Sequence, residues 1–183
     1  STAVPSYKLK QADVLEASTS LFANSFRDFD RLKPVFSNAA IGTRYSCVPI
    51  DWYLSDHSFA ERNALFIKHA VNLLEEAIVK CLDISSLNLS QVDAIVVTTT
   101  SGIAAPSLDA LLVDRLSLRS DILRLPIFGL GCAGGVIGLA RASALAQAMP
   151  ESNILFAVVE LCGLTFRFND RSKSNLIATA LFG

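Results

Sequence analysis

The clearest pattern along the chain is a stripe of apolar positions at helical spacing, Leu65, Phe66, Ala70, Leu73, Leu74, Ala77, Ile78 and Cys81. It predicts a long amphipathic helix ending near Leu82 and opened by a capping box, with Ser58 at the N-cap and Glu61 three residues on. Residues 10–24 show a weaker form of the same period and predict a second amphipathic helix, and 29–36 predicts a short one that Pro34 keeps from extending. The stretch 41–56, with Gly42, Pro49 and the pair Arg44-Tyr45, reads as an irregular loop that either carries binding residues or connects elements. A β-branched run at 94–100 predicts a buried strand, followed by a helix from about Ser107 to Leu116. Then come a short strand at 126–128, an alanine-rich helix that stops at Pro150, and a strand at 153–160. A polar loop and a last helix at 174–181 close the chain.

Strand, helix, strand, helix, strand at this spacing predicts an α/β fold, a mainly parallel sheet with helices on both faces. Loops at the carboxyl ends of parallel strands gather at one edge, so Thr100-Ser101, Cys132 and Glu160-Leu161-Cys162 are expected near one another. The helix after Cys132 carries only Arg141, Ser143 and Gln147 as polar residues, so it is expected to be buried on most sides. Gly134, Gly138, Ala142 and Ala146 form a row of small residues at spacing four, which predicts a closely packed partner helix that no other segment supplies.

Cys132 sits where a strand turns into that helix, between Gly131 and the pair Gly134-Gly135. Unpaired N–H groups at a helix start favour a thiolate, and a corner without side chains admits an acyl carbonyl, so the position suits a cysteine nucleophile. The other reading of the same residue is a small buried side chain at a glycine turn. His69 and His57 read as structural or solvent-facing rather than as bases for it. Glu160 reads as a catalytic acid or a capping carboxylate, the Thr98–Thr100 run chiefly as strand formers, and Cys162 as packing.

Composition narrows the field. In 183 residues, 51% are hydrophobic and the formal net charge is −1, which is enough for one sizeable core and gives no electrostatic footprint for nucleic acid or an anionic membrane. No apolar run reaches spanning length and no leader pattern opens the chain. The four cysteines lie too far apart for a zinc knuckle or a redox pair, so no metal and a reduced, cytoplasmic setting are expected. The absence of an initial methionine and the apolar ending Ala-Leu-Phe-Gly read as a fragment of something longer.

Five stretches in order, Arg44-Tyr45, Thr99-Thr100-Ser101-Gly102 with Pro106, Gly131-Cys132-Ala133-Gly134-Gly135, Glu160 through Thr165-Phe166-Arg167, and Ala180-Leu181-Phe182-Gly183, make the chain resemble the type III polyketide synthases. These are chalcone-synthase-like enzymes of the thiolase superfamily, and the Gly-Leu-Gly-Cys-Ala-Gly-Gly form looks like the bacterial members, which often make alkylpyrones or alkylresorcinols from fatty acyl-CoA. The resemblance implies a thiolase-like N-terminal half over residues 1–183, with the C-terminal half and its catalytic histidine and asparagine outside the chain. It implies that Cys132 takes an acyl group from acyl-CoA and that malonyl-CoA then extends it by decarboxylative condensation, with no tightly bound cofactor. It places Thr100, Ser101, Cys162, Thr165 and Ala178 on the cavity wall, Phe182 as the gate between tunnel and cavity, and Ala105 across the interface of a homodimer. Pro34 and Asn38 stand where the family's plant members carry CoA-binding charge, with Arg31 and Lys33 nearby. The resemblance also accounts for the row of small residues, because in this superfamily each half gives a central helix and the two pack together. An initiating β-ketoacyl-carrier-protein synthase, which shares the cysteine corner, and a non-catalytic subunit are the alternatives.

Overall fold

The computed structural model describes residues 1–27 and 29–182; Asp28 and Gly183, the latter part of the closing Ala-Leu-Phe-Gly stretch, lie outside the described residues. Along the chain run β1 (Tyr7–Lys10), α1 (Gln11–Phe22), α2 (Pro34–Asn38), β2 (Thr43–Ser46), α3 (Phe59–Ser85), β3 (Val92–Thr99), α4 (Leu108–Arg115), β4 (Leu123–Phe128), α5 (Gly134–Ala148), β5 (Asn153–Val158) and α6 (Lys173–Leu181). Short 3₁₀ turns lie between several of them. Contacts divide the chain into two compact units, one of residues 1–3 and 66–160, the other of residues 4–65 and 161 onward.

The first unit is built on a parallel sheet in the order β4-β3-β5. With a neighbour on each side, β3 is covered on both faces, and its run of Val, Ala and Ile is the sequence such a strand requires; Ala94, Ile95 and Val96 are fully buried. Successive side chains alternate between faces. Thr98 points at α5, whereas Val97 and Thr99 share a cavity with Leu108 of α4, so helices cover both faces as the pattern predicts. An irregularity in the β3–β5 register falls between Val92 and Ala94. The Asp93 carboxylate fills that break, accepting the Asn153 N–H at 2.9 Å and pairing with Arg119 at 2.8 Å. The capping box at the head of α3, on the part of that helix that belongs to the second unit, is present in both directions: the Ser58 N–H donates to Glu61 at 2.8 Å and the Glu61 N–H donates to the Ser58 hydroxyl at 3.2 Å.

The row of small residues on α5 has a different partner from the one its spacing predicts. Gly134, Gly138 and Ala142 are the buried residues of α5, and the two glycines face the sheet rather than a helix. A Cβ on Gly134 would stand 2.7 Å from the Thr98 methyl, and one on Gly138 would stand 2.6 Å from both the Phe156 ring and the Thr98 hydroxyl oxygen. Val136 and Leu139, on other faces of the helix, are 75% and 59% exposed in this chain. Helical periodicity fixes which residues share a face but not what that face meets, so the explanation of the row by the second half's helix is also set aside.

In the second unit α1 packs against α6 around Val14, Phe22, Phe29, Phe36, Leu176 and Ala180. The predicted helix at 29–36 is broken into a 3₁₀ turn at Phe29–Arg31 and α2, which starts at Pro34 because proline suits a first helical position. Part of the stretch read as an irregular loop is β2, paired antiparallel with β1 from Tyr7↔Ser46 to Lys10↔Thr43, and a 3₁₀ turn at Ile50–Leu54 follows it. Arg44 in β2 is 8% exposed, and it is neither a loop residue nor a surface ligand-binding group. Its guanidinium donates to the carbonyls of Thr179 at 2.7 Å and Ala180 at 2.8 Å, to that of Phe182, and to the Gln11 side chain. It therefore closes the carboxyl end of α6, where cations suit the orphan carbonyls.

Candidate active site

Three strand ends meet where the β3, β4 and β5 ladders stop. After β4 the chain bends through Gly129 and Gly131, at φ of +84° and +55°, and makes a 3₁₀ turn over Gly131–Ala133 that runs directly into α5. Glycine is required at both bends because a side chain there would be strained. Cys132 occupies the middle of the turn and is exposed. Two bonds tie the bend to the end of β3: the Gly129 N–H donates to the Thr99 carbonyl at 3.3 Å, and the Gly131 N–H donates to the Thr100 hydroxyl at 3.0 Å. The neighbouring Ser101 N–H donates to the Glu160 carboxylate at 2.9 Å, a backbone bond of the kind that the non-catalytic reading of Glu160 expects. Thr100, Ser101, the Cys132 turn and Glu160 are thus tied together as the topology predicts, whereas Leu161 and Cys162, expected beside them, belong to the second unit.

Gly102, next in line, is pressed against the Phe66 ring; a Cβ there would stand 2.1 Å from it. That contact fixes the chain leaving β3 and explains a glycine whose φ is ordinary.

In the second unit, Cys162, Thr165, Ala178 and Phe182 all line one apolar cavity of about 70 Å³ against α1 and the side chains of Arg44 and Tyr53. Cys162 is the first residue of a 3₁₀ turn over Cys162–Thr165, and it is half-buried. The Thr165 hydroxyl donates to the Cys162 carbonyl at 2.7 Å, closing the turn. Phe182 is held through its carbonyl by Arg44 and through its N–H by the Ala178 carbonyl at 2.8 Å. Arg44 and Gln11 were not singled out for this role; the signal was a polar residue alternating within a four-residue strand.

Burial sets the protonation chemistry beside this cavity. It pushes the Cys47 thiol up to about 11, far from nucleophilic use. It also raises the Tyr53 phenol, with the Ser46 hydroxyl bond acting in the opposite sense, and it lowers the Arg44 guanidinium. Among the histidines, His69 is lowered by burial first and by Lys68 second. His57 stacks on Trp52 at 3.9 Å between ring centroids and bonds to the Trp52 carbonyl at 2.9 Å. Among the described residues no cluster of His, Cys, Asp or Glu suits a metal ion, and no helix is long and apolar enough to cross a membrane.

Comparison with solved structures defines the class. The chain superposes with a TM-score of 0.91 on 1,3,6,8-tetrahydroxynaphthalene synthase from Streptomyces coelicolor A3(2), a bacterial type III polyketide synthase, at 27% identity over 100% of this chain and 52% of that one. Germicidin synthase from Streptomyces coelicolor shares the fold at a TM-score of 0.89 and 20% identity, over 98% of this chain and 54% of that one. The architecture is the thiolase-like N-terminal half of a type III polyketide synthase. Residues 52–183 match the model of the chalcone and stilbene synthase N-terminal domain, and the chain belongs to that family. Among curated relatives it is 38% identical to a putative chalcone synthase of Bacillus subtilis, over 100% of this chain and 51% of the relative. It is 37% identical to a 1,3,6,8-tetrahydroxynaphthalene synthase of Streptomyces peucetius, over 100% of this chain and 48% of the relative. The chain spans about half the length of the curated relatives it matches.

Proposed function

We propose that this chain is the acyl-loading half of a type III polyketide synthase, in which Cys132 attacks the thioester of an acyl-CoA starter and keeps the acyl group as a cysteine thioester. The sulfur forms the new C–S bond, the CoA thiolate leaves, and the thiol proton goes to solvent or to the leaving sulfur. The observation that carries this reading is an exposed cysteine in a turn that runs directly into α5, behind two left-handed glycine bends. Extension by malonyl-CoA, with loss of carbon dioxide, uses the histidine and asparagine that the family resemblance assigns to the other half. The resemblance assigns Thr100 and Ser101 to the cavity wall together with Cys162, Thr165, Ala178 and Phe182, and an apolar cavity lined by the last four within the second unit supports their part of that assignment. An alkylpyrone or alkylresorcinol product, a homodimer with Ala105 at its interface, and a cytoplasmic setting complete the proposal. A relative named for α-pyrone synthesis, from Mycobacterium tuberculosis at 26% identity, lends the pyrone reading support.

The test is mass spectrometry of the chain after incubation with hexanoyl-CoA. A hexanoyl adduct on the peptide containing Cys132, absent in Cys132→Ala, is expected; an unmodified Cys132 overturns the loading role and leaves the non-catalytic reading.

A further inference from the structure

Thr100 follows the central strand of the first unit, and its hydroxyl accepts the Gly131 N–H at 3.0 Å. Gly131, at φ +55°, immediately precedes Cys132 and with Gly129, at φ +84°, forms a bend that only glycine adopts without strain. The opposite side of the bond is rigid. Thr99 pairs with Phe128 in the sheet, and the Ser101 N–H is held by Glu160 at 2.9 Å, so Thr100 is gripped on both flanks.

We propose that Thr100 is a positioning residue for the nucleophile: its hydroxyl anchors the Gly131 bend and thereby keeps Cys132 at the start of α5. This rests on the reading of Cys132 as the acyl acceptor and gives Thr100 a task other than the cavity-wall place that the resemblance implies. Cys132 is already exposed, so loosening the bend adds little access; what it removes is the fixed placement at a helix start that makes a cysteine reactive.

The experiment measures the rate of iodoacetamide alkylation at Cys132 by peptide mass spectrometry, in the wild-type chain, Thr100→Val and Thr100→Ser, with thermal unfolding followed by circular dichroism. Valine keeps the β-branched shape and removes the acceptor, whereas serine keeps the acceptor and removes the methyl. Thr100→Val is expected to react about two- to tenfold more slowly, the equivalent of one intramolecular hydrogen bond, while Thr100→Ser keeps the wild-type rate. An unchanged or faster rate in Thr100→Val overturns the proposal, and so does a Thr100→Ser rate that falls with it, because the methyl would then be what matters. Should Thr100→Val melt below the assay temperature, the comparison of Thr100→Ser with Thr100→Ala decides on the same terms. Alkylation needs no acyl donor, so a positioning effect in a chain that takes no hexanoyl group would leave Thr100's role standing and remove only the loading reading.

Discussion

Replacing Arg44 by methionine keeps an unbranched side chain of similar reach while deleting the guanidinium that closes α6. The Ala180 carbonyl retains a donor, because the Gln11 amide also reaches it at 3.0 Å. The Thr179 and Phe182 carbonyls lose theirs, and the Gln11 carbonyl oxygen loses its partner as well. Each unsatisfied acceptor costs about 1 kcal/mol at the low end of the range for such groups, so the expected loss is about 3 kcal/mol. Burial of the guanidinium, which lowers its proton affinity, is itself unfavourable, and relief of that cost keeps the figure from rising further. The single tryptophan, Trp52, stands beside Tyr53 on the same unit and reports its unfolding by fluorescence. With a urea slope of about 2 kcal/mol/M, the Arg44→Met midpoint should fall by about 1.5 M. Arg44→Lys should fall by about half as much, since one ammonium cannot span carbonyls that a planar fork reaches together. A midpoint for Arg44→Met within about 0.3 M of wild type, which at that slope is about a fifth of the expected loss, would refute the cap.

Two further outcomes follow from the packing and the buried thiol. Gly138→Ala should lose about 1–3 kcal/mol in thermal unfolding, because its methyl would sit 2.6 Å from the Phe156 ring and from the Thr98 hydroxyl oxygen. Gly135→Ala, with nothing within 4 Å of the added carbon, should instead gain about 0.5–1 kcal/mol from helix propensity, and equal effects at the two sites would contradict the sheet-facing row. The Cys47 thiol, held at about 11 against an ordinary 9.0, stays protonated in the folded chain while the unfolded chain ionises. The unfolded state then binds fewer protons, so stability is full below pH 9.0 and falls as the pH rises toward about 11. Tyr53 acts in the same sense, and Cys47→Ala should make the fall in urea midpoint across that window shallower; an unchanged fall would show that the thiol does not titrate as buried.

The elements that were legible are those whose signal is local and repeated. The Ser58–Glu61 box, the β-branched run of β3 and the glycines around Cys132 each name their structure within a few residues. The β1–β2 pair was not legible, because Tyr-Lys-Leu-Lys and Thr-Arg-Tyr-Ser are four residues each and join positions 7–10 with 43–46. The partner of the α5 row was hidden for a related reason: spacing describes one helix, whereas Thr98 and Phe156 come from two separate strands. For Thr100, a run of three threonines reads as strand propensity, and only the bend of the following strand shows which hydroxyl has an N–H to accept.

The bare hydrogens of Gly134 and Gly138 act as a spacer of minimum thickness between Thr98, Phe156 and the helix that carries the thiol at its head. The height of the sulfur above the strand ends is therefore set from beneath, by atoms that are missing. Sequence change in that layer lifts or tilts the thiol directly, while the outward-facing positions of the same helix are free to follow whatever surface they meet.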